Sequence, residues 1–589
     1  MLDLVLRNGY VVDGSGRPGG RSDIGIANGQ IVDVGRVEGK GRREIDVDGL
    51  LVIPGFVDLH THYDAQVCWD PLLSPSPAHG VTTVISGNCG LTLAPMKPED
   101  RDFSVRLLAN VEGIPSEAIA AGVNFTWETF PEMMAHLDNT PLGINLGLMV
   151  GHSAIRRNVM GPAASSNEAN EAQLEEMCRV LDESLSAGGF GFSTATAPTH
   201  RDGDGCLTPP NFASAREFIA LSAVCKRYPG TSLEFIARSS QAGFDEADRE
   251  LMAQMSAAAN RVLNWNTPVI NKEDPTLHVR QLEGGAIDAA AGVCVVPMMM
   301  SQNNPLYYDL RRGYVHRTLP GWGWLFEKDL PDRVTALSDP AVRTQLRESL
   351  EGTDVSSTVM RLRKWGFYQV VEIGPPSMQE LKGKSISEIA DARGTDAYTT
   401  WMDLLVETRF DVGYAIAFYP GEDDWVTETR REFLSDPRVI VGASDGGAHM
   451  DMLVGGTSAF RTLIEWVYQR KSFSLEHMVH LLTDVPSRLY GLKGKGRLQV
   501  GCAADLVVLD PEHLAVSPMQ VERDLPAGSP RLMSGATGVA RVIVGGTEVY
   551  VENVATGERP GKLLRAGVDS DTVTPADWIR SMQQSPTAR

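Results

Sequence analysis

Short apolar runs recur through the middle of the chain, and between them lie stretches that are apolar at every third or fourth position. Eight runs read as strands: Leu51 to Leu59, Val81 to Gly87, Gly143 to Val150, Gly188 to Ser193, Ser232 to Ala237, Arg261 to Trp265, Val293 to Met300 and Val439 to Ser444. Glu168 to Ala187, Phe212 to Cys225 and Phe244 to Ala259 carry the helical period, the first stopping at Gly188-Gly189. Alternating strands and helices predict a parallel sheet of βα units, and eight is the number that closes a TIM-like (β/α)8 barrel. The expected fold class is therefore α/β.

The two flanks have another texture. Leu2 to Val12, Asp23 to Ala27, Ile31 to Val37 and Glu44 to Val47 are β-rich runs between Gly, Asn and Asp turns, and Val500 to Leu509 and Gly538 to Val551 repeat that texture. Both ends together predict one small β-sandwich. The implied organisation is the first half of the sandwich in 1–50, the barrel in 51–490, the second half of the sandwich in 491–562 and a polar tail in 563–589, disordered to some extent or wrapped onto a neighbouring subunit. Within the barrel, 302–437 is too long for a plain loop and contains helical patterns at Asp339 to Leu350, Ile386 to Ala390 and Ala397 to Glu407. It is expected to form a cap before the last strand, with Tyr307, Tyr308, Trp322 and Trp324 either packing it or meeting a substrate.

Composition narrows the classes. With 42% hydrophobic and 22% charged residues in 589, the chain reads as an ordinary globular protein of more than one domain. Its 75 acidic against 54 basic residues give a net charge of −21, which speaks against nucleic-acid and anionic-membrane partners. The N-terminal residues do not combine a basic start, an apolar core and a cleavage site, and no apolar run is long enough for a membrane span, so a cytoplasmic location is expected. Seven scattered cysteines make no disulfide framework. No phosphate-binding Gly loop, dinucleotide fingerprint or Gly-x-Ser-x-Gly elbow stands in the right context.

The candidate chemistry begins at His60-Thr61-His62. Residues i and i+2 of a strand share a face, so the two imidazoles converge on one point, a geometry suited to a divalent cation; the alternative is two polar residues at a strand end. Far downstream, Ser444-Asp445-Gly446 supplies a carboxylate, or simply a solvated turn. Cys89 stands in the tight turn Gly87-Asn88-Cys89-Gly90, which reads locally as a small buried thiol. His60, His62, Cys89, His152 and Asp445 all fall at or just past carboxyl ends of expected strands, where barrel enzymes keep their chemistry. His449 could reach the same cation or hold the carboxylate, and Arg156 and Arg157 could grip an acidic group.

These stretches resemble the amidohydrolase superfamily, and within it the N-acyl-D-amino-acid deacylase (D-aminoacylase-like) group. The resemblance is carried by Val52 to His62, Gly87-Asn88-Cys89-Gly90, Gly151-His152-Ser153, Gly191-Phe192-Ser193-Thr194, Ala443 to His449 and the closing strand Ala503 to Asp510. It implies a zinc-dependent hydrolase of C–N bonds acting on an N-acyl amino acid or related small amide, with His60, His62, Asp445 and Cys89 as metal ligands. By the same resemblance Asp445 is the proton shuttle, and His152, Arg238 and His449 line the substrate site. The group also supplies histidines from its fifth and sixth strands, but here those stretches read Leu233-Glu234-Phe235-Ile236-Ala237-Arg238 and Val262-Leu263-Asn264-Trp265-Asn266. One zinc per chain is the expectation, with Glu234, Asn264 or Asn266 as substitute oxygen donors and another divalent metal compatible. A cyclic-amide hydrolase, a metal-dependent decarboxylase or lyase, and a non-catalytic relative with a degenerate site stay open. A symmetric homo-oligomer is compatible with any of them.

Overall fold

The structure is a computed structural model and describes residues 1–583 except 273, 302–305, 312–315, 352–361 and 417–423. Each expected barrel strand is present, and each pairs in parallel with the next. β1 (Phe56–Asp58) joins β2 (Val81–Ser86), and β2 joins β3 (Asn145–Leu148). β3 resumes as Val150–Gly151 to pair with β4 (Gly191–Ala195), followed by β5 (Ser232–Ile236), β6 (Leu263–Asn266), β7 (Val293–Met299) and β8 (Ile440–Val441). The last strand returns to the first: Thr61 bridges Gly446 in parallel, and the His62 N–H donates to the Gly446 carbonyl at 2.7 Å. Nearly every residue of these strands is buried, which explains their unbroken apolar sequence, since both faces of a parallel sheet are covered.

Helices fill the connections, among them α1 (Arg101–Val111), α2 (His152–Met160), α3 (Glu171–Ser186), α4 (Ala215–Cys225) and α5 (Glu246–Ala259). Their limits follow local chemistry. Asn170 and Gln173 cap α3 reciprocally, Asp245 caps α5, and Asn260 ends α5 in the left-handed conformation.

The run Leu51 to Leu59, expected as one strand, is divided. Leu51–Pro54 pairs antiparallel with Leu506–Leu509 in the terminal sheet, and only Phe56–Asp58 enters the parallel set. The crossing point is Gly55, where a Cβ would lie 2.1 Å from Thr82 Oγ1. Strands from both chain ends form one nine-stranded sheet rather than two separate ones. It rolls onto itself, so that Gln30 at its edge bridges Ala503, and it encloses a core of its own that includes Leu6, Ile24, Val47, Leu506 and Ile543. Buried Asp505 ties this sheet to the parallel strands, accepting from Lys495 Nζ (2.5 Å), Asn145 Nδ2 of β3 (3.0 Å) and the Gly545 N–H (2.7 Å).

The long insertion carries a three-stranded antiparallel sheet, Leu306–Asp309 with Val412–Ile416 and Gln369–Ile373, and helices Pro340–Glu348, Ile386–Arg393 and Ala397–Glu407. Its own core holds Tyr308, Trp322, Tyr368 and Tyr414, with Trp365 stacked on Trp401 at 4.7 Å. The tail differs from expectation: Leu563 bridges Leu146, and Pro575–Gln583 is a helix whose Trp578 enters the main core of this same chain. Its last residues, 584–589, lie outside the described ones. Among the described residues, no helix is long and apolar enough to cross a membrane.

Candidate metal centre

β1 ends at Asp58, and His60-Thr61-His62 continues beyond it, held in line by the Thr61 N–H to the Ile85 carbonyl (3.1 Å) and the bridge to Gly446. The backbone thus keeps the alternation of a strand, and the two imidazoles meet with Nε2 atoms 3.3 Å apart. The turn after β2 presents Cys89 from a left-handed conformation, φ 57°, with Sγ at 3.5 Å from His60 Nε2 and 4.0 Å from His62 Nε2. Past β8, Asp445, also left-handed at φ 55°, brings Oδ1 to 3.2 Å from His60 Nε2 and 3.7 Å from His62 Nε2.

The ligand atoms of His60, His62 and Cys89 all lie within 4.8 Å of one another, with Asp445 standing against the imidazoles at the edge of that trio. The trio's spacings fit three donors of one tetrahedral cation with a position left open: bonds of about 2.05 Å to nitrogen and 2.3 Å to sulfur place N···N at about 3.3 Å and N···S at about 3.6 Å. Surrounding charge points the same way. Asp64, Glu112 and Glu234 are buried around the trio, with Asp445 at its edge. Glu112 Oε1 stands 3.5 Å from His62 Nδ1. Burial, reinforced by Glu234, Glu112, Asp445 and Asp64, pushes the Cys89 thiol well above its usual range, and burial lifts Glu234 to about 7 and Asp64 to about 6. His62 is raised to about 9; burial opposes this, and Glu112 followed by Asp445 overcomes it. Against the same burial, hydrogen bonds from His60 and His62 hold Asp445 far below the usual carboxylate range. A buried, carboxylate-rich nest around two imidazoles and a thiol is the environment that a divalent cation neutralises.

At the positions lacking the two histidines, Glu234 and Asn266 support the trio from behind. Glu234 accepts from the Cys89 N–H at 2.9 Å and from Asn266 Nδ2 at 2.7 Å, and that same Nδ2 lies 2.8 Å from His60 Nδ1. Asn264 turns elsewhere, donating to the Leu233 carbonyl and to Tyr490 Oη.

The three residues expected on the substrate side fare differently. His152 is fully buried with both ring nitrogens engaged, Nδ1 with Thr194 Oγ1 and Nε2 with Glu217 Oε1, each at 2.8 Å. Arg156 Nη1 clasps the same Glu217 at 2.6 and 2.5 Å. His152 is therefore part of the α2–α4 packing, and the lining role expected of it has no open ring atom; Arg156 is likewise committed internally. Arg157 pairs with Asp100 at 2.5 Å. Arg238 is exposed just beyond β5. His449 borders the centre: its N–H donates to the Glu112 carbonyl, and its charge acts on Asp445.

Two residues escaped the sequence reading. Glu112 ends α1 as an acid between Val111 and Gly113, with nothing local to separate it from a surface helix acid. His200 lies beyond β4 in a loop, yet Glu112, His449, His62 and Asp445 all act on its charge, and burial lowers it to about 4. A cavity of ≈ 360 Å³ is lined by Tyr307, Arg311, Asp451, Arg523, Arg531 and Leu532 among others, residues outside the donor set.

D-aminoacylase of Alcaligenes xylosoxydans xylosoxydans is 27% identical over 570 residues, covering 96% of this chain and 97% of that protein. Two solved structures share the fold at a TM-score of 0.62 and 23% identity, each covering 96% of this chain and 100% of its own. One is a D-aminoacylase described with a binuclear metal centre, one-metal activation and second-metal attenuation; the other is N-acyl-D-glutamate deacylase of Bordetella bronchiseptica with zinc and a phosphonate mimic of the tetrahedral intermediate. The sequence profile of the amidohydrolase family matches residues 43–550, and with most of its length covered the chain belongs to that family.

Proposed function

We propose that this protein is a zinc-dependent hydrolase of N-acyl amino acids, holding one metal per chain on His60, His62, Cys89 and Asp445. The observation that carries it is the trio of two imidazole nitrogens and a thiol, all within 4.8 Å of one another, with the Asp445 carboxylate oxygen 3.2 and 3.7 Å from the two imidazoles. The eight parallel strands are read as a TIM-type barrel with this centre at its carboxyl end, and residues 302–437 as a cap over that end. The rolled terminal sheet then stands as the small sandwich-like domain. A single metal is favoured because Glu234 already accepts two protein hydrogen bonds and Asn266 faces His60.

Zinc, when bound, lowers the pKa of a coordinated water toward ~7 and polarises a carbonyl. The chain's residues do the rest. Asp445 is ionised at neutral pH because both imidazoles hold it so, and it is within reach of the same point as His60 and His62. It takes the proton of the attacking water and delivers it to the nitrogen of the leaving amine, so the C–N bond breaks to a carboxylic acid and an amine. His449, beside Asp445, steadies that carboxylate, and Arg238 at the rim meets the substrate's carboxylate. The ≈ 360 Å³ cavity, beginning two residues past His449 at Asp451, gives room for the far end of the substrate.

The test is a screen of the zinc-loaded protein on N-acyl-D- and N-acyl-L-amino acids with amine and CO2 both measured. Amine release is expected. CO2 without amine would replace the reading with a decarboxylase, and neither product would favour a binding role.

A further inference from the structure

Hydrolysis of an amide places negative charge on the carbonyl oxygen, and a positioned protein donor stabilises that charge beyond what polarisation by a cation supplies. The residues assigned so far have other tasks: His60 and His62 face the cation, Asp445 is an acceptor, His449 serves Asp445, Arg238 the substrate's carboxylate, and His152 is spent on Thr194 and Glu217.

His200 is placed for the task. It enters a small hairpin in which Arg201 bridges Leu207, and the Thr208 N–H donates to its carbonyl at 3.2 Å. That hairpin is pinned to α1 from several sides. Asn110 Nδ2 donates to the Arg201 carbonyl at 2.8 Å and to the Asp202 carbonyl at 3.1 Å, and Arg106 pairs with Asp204 at 2.6 Å. Two residues after Asn110 comes Glu112, whose carboxylate is 3.5 Å from His62 and whose carbonyl receives the His449 N–H. The exposed hairpin is thereby fastened to α1, which ends at the wall of the metal centre. His200 is half-buried, and its Nδ1 is enclosed without a hydrogen-bond partner among the described residues. An enclosed ring nitrogen of this kind is open to a partner from outside the chain, because enclosed polar atoms in folded proteins find partners.

We infer that His200 is a further catalytic residue, donating a ring N–H to the carbonyl oxygen of the substrate as it gains charge. The inference rests on the hydrolase reading above. No proton is transferred in the step; a hydrogen bond forms to the oxygen as the carbon becomes tetrahedral, and shortens as charge grows. Either charge state of the imidazole retains an N–H for this.

The experiment measures binding rather than turnover alone. Methylphosphonamidates of D-amino acids, tetrahedral at phosphorus, and the planar N-acetyl-D-amino acids are titrated calorimetrically into zinc-loaded wild type, His200→Phe and His200→Gln. His200→Phe is expected to bind the tetrahedral probe about 10²-fold more weakly, the planar compound within about twofold, with zinc content and circular dichroism unchanged; His200→Gln, which keeps a donor, is expected to recover some of the loss. Equal weakening for both compounds, or none, would overturn the assignment, as would failure of the wild type to prefer the tetrahedral probe. Amine release by the wild type is scored separately, so a protein that hydrolyses acyl amino acids yet ignores His200→Phe refutes His200 alone.

Discussion

Asn266 offers the sharpest test of how the metal centre is built. Its side-chain amide is buried and makes two contacts through one nitrogen, 2.8 Å to His60 Nδ1 and 2.7 Å to Glu234 Oε1. Asn266→Leu keeps the volume and removes both. His60 then loses the group that fixes its ring, and partners of this kind behind a ligating histidine are worth about 10–100-fold in metal affinity, or about 1.4 to 2.7 kcal/mol. Glu234 loses one of its two protein donors while remaining fully buried, a cost of about 1.5–3 kcal/mol for a hydrogen bond to a charged group. Zinc competition against a chromophoric chelator reads the first effect, and urea unfolding of the metal-free protein the second. Zinc affinity within about twofold of wild type, in a variant with native circular dichroism, would refute the claim that Asn266 organises His60, and with it the idea that the sixth-strand position still serves the metal indirectly.

Asp445→Asn should lower turnover by about 10²–10⁴-fold with the fold intact, since it removes the proton acceptor; unchanged kcat would retire that role. Glu234 binds its proton more tightly folded, at about 7, than its ordinary 4.5, so its contribution to stability is complete below that lower value and lost as pH rises toward 7. Asp58 and Asp64, both near 6, act in the same direction. Metal-free wild type should therefore lose more unfolding free energy across this window than Glu234→Gln, by about 3 kcal/mol, and equal slopes in urea titrations would contradict it. Glu217→Ala, which strands buried Arg156 and frees His152, should cost about 3–5 kcal/mol of stability without altering zinc affinity; a matching fall in zinc affinity would show that His152 belongs to the metal centre after all.

The strand positions were legible because burial on both faces demands uninterrupted apolar runs, and Ala397–Glu407 matches its helical pattern to the residue. Boundaries were less so. Nothing in the apolar run from Leu51 to Leu59 announces that it changes sheets at Gly55; the reason is the nearness of Thr82, which only the fold creates. The polar tail looked unattached because its few apolar residues, Leu563, Leu564 and Trp578 among them, acquire meaning only against the surface they cover.

For the metal centre, the sequence alone determined that two imidazoles at i and i+2 would converge, since strand geometry is a local property of the backbone. Resemblance added Cys89 and Asp445, and the structure brings both within 4.0 Å of an imidazole nitrogen. Only the tertiary structure decided what surrounds them. Glu112 at the end of α1, Glu234 on β5, Asn266 on β6 and His200 in the loop after β4 come from four separate elements, and which side chains share one enclosed, low-dielectric space depends on how those elements pack. The same holds for His152: resemblance made it a residue lining the substrate site, but Thr194 and Glu217, 42 and 65 positions away, occupy both of its nitrogens. Proximity in space between residues distant in the chain, and the pairing it imposes, is the quantity that one sequence does not encode locally.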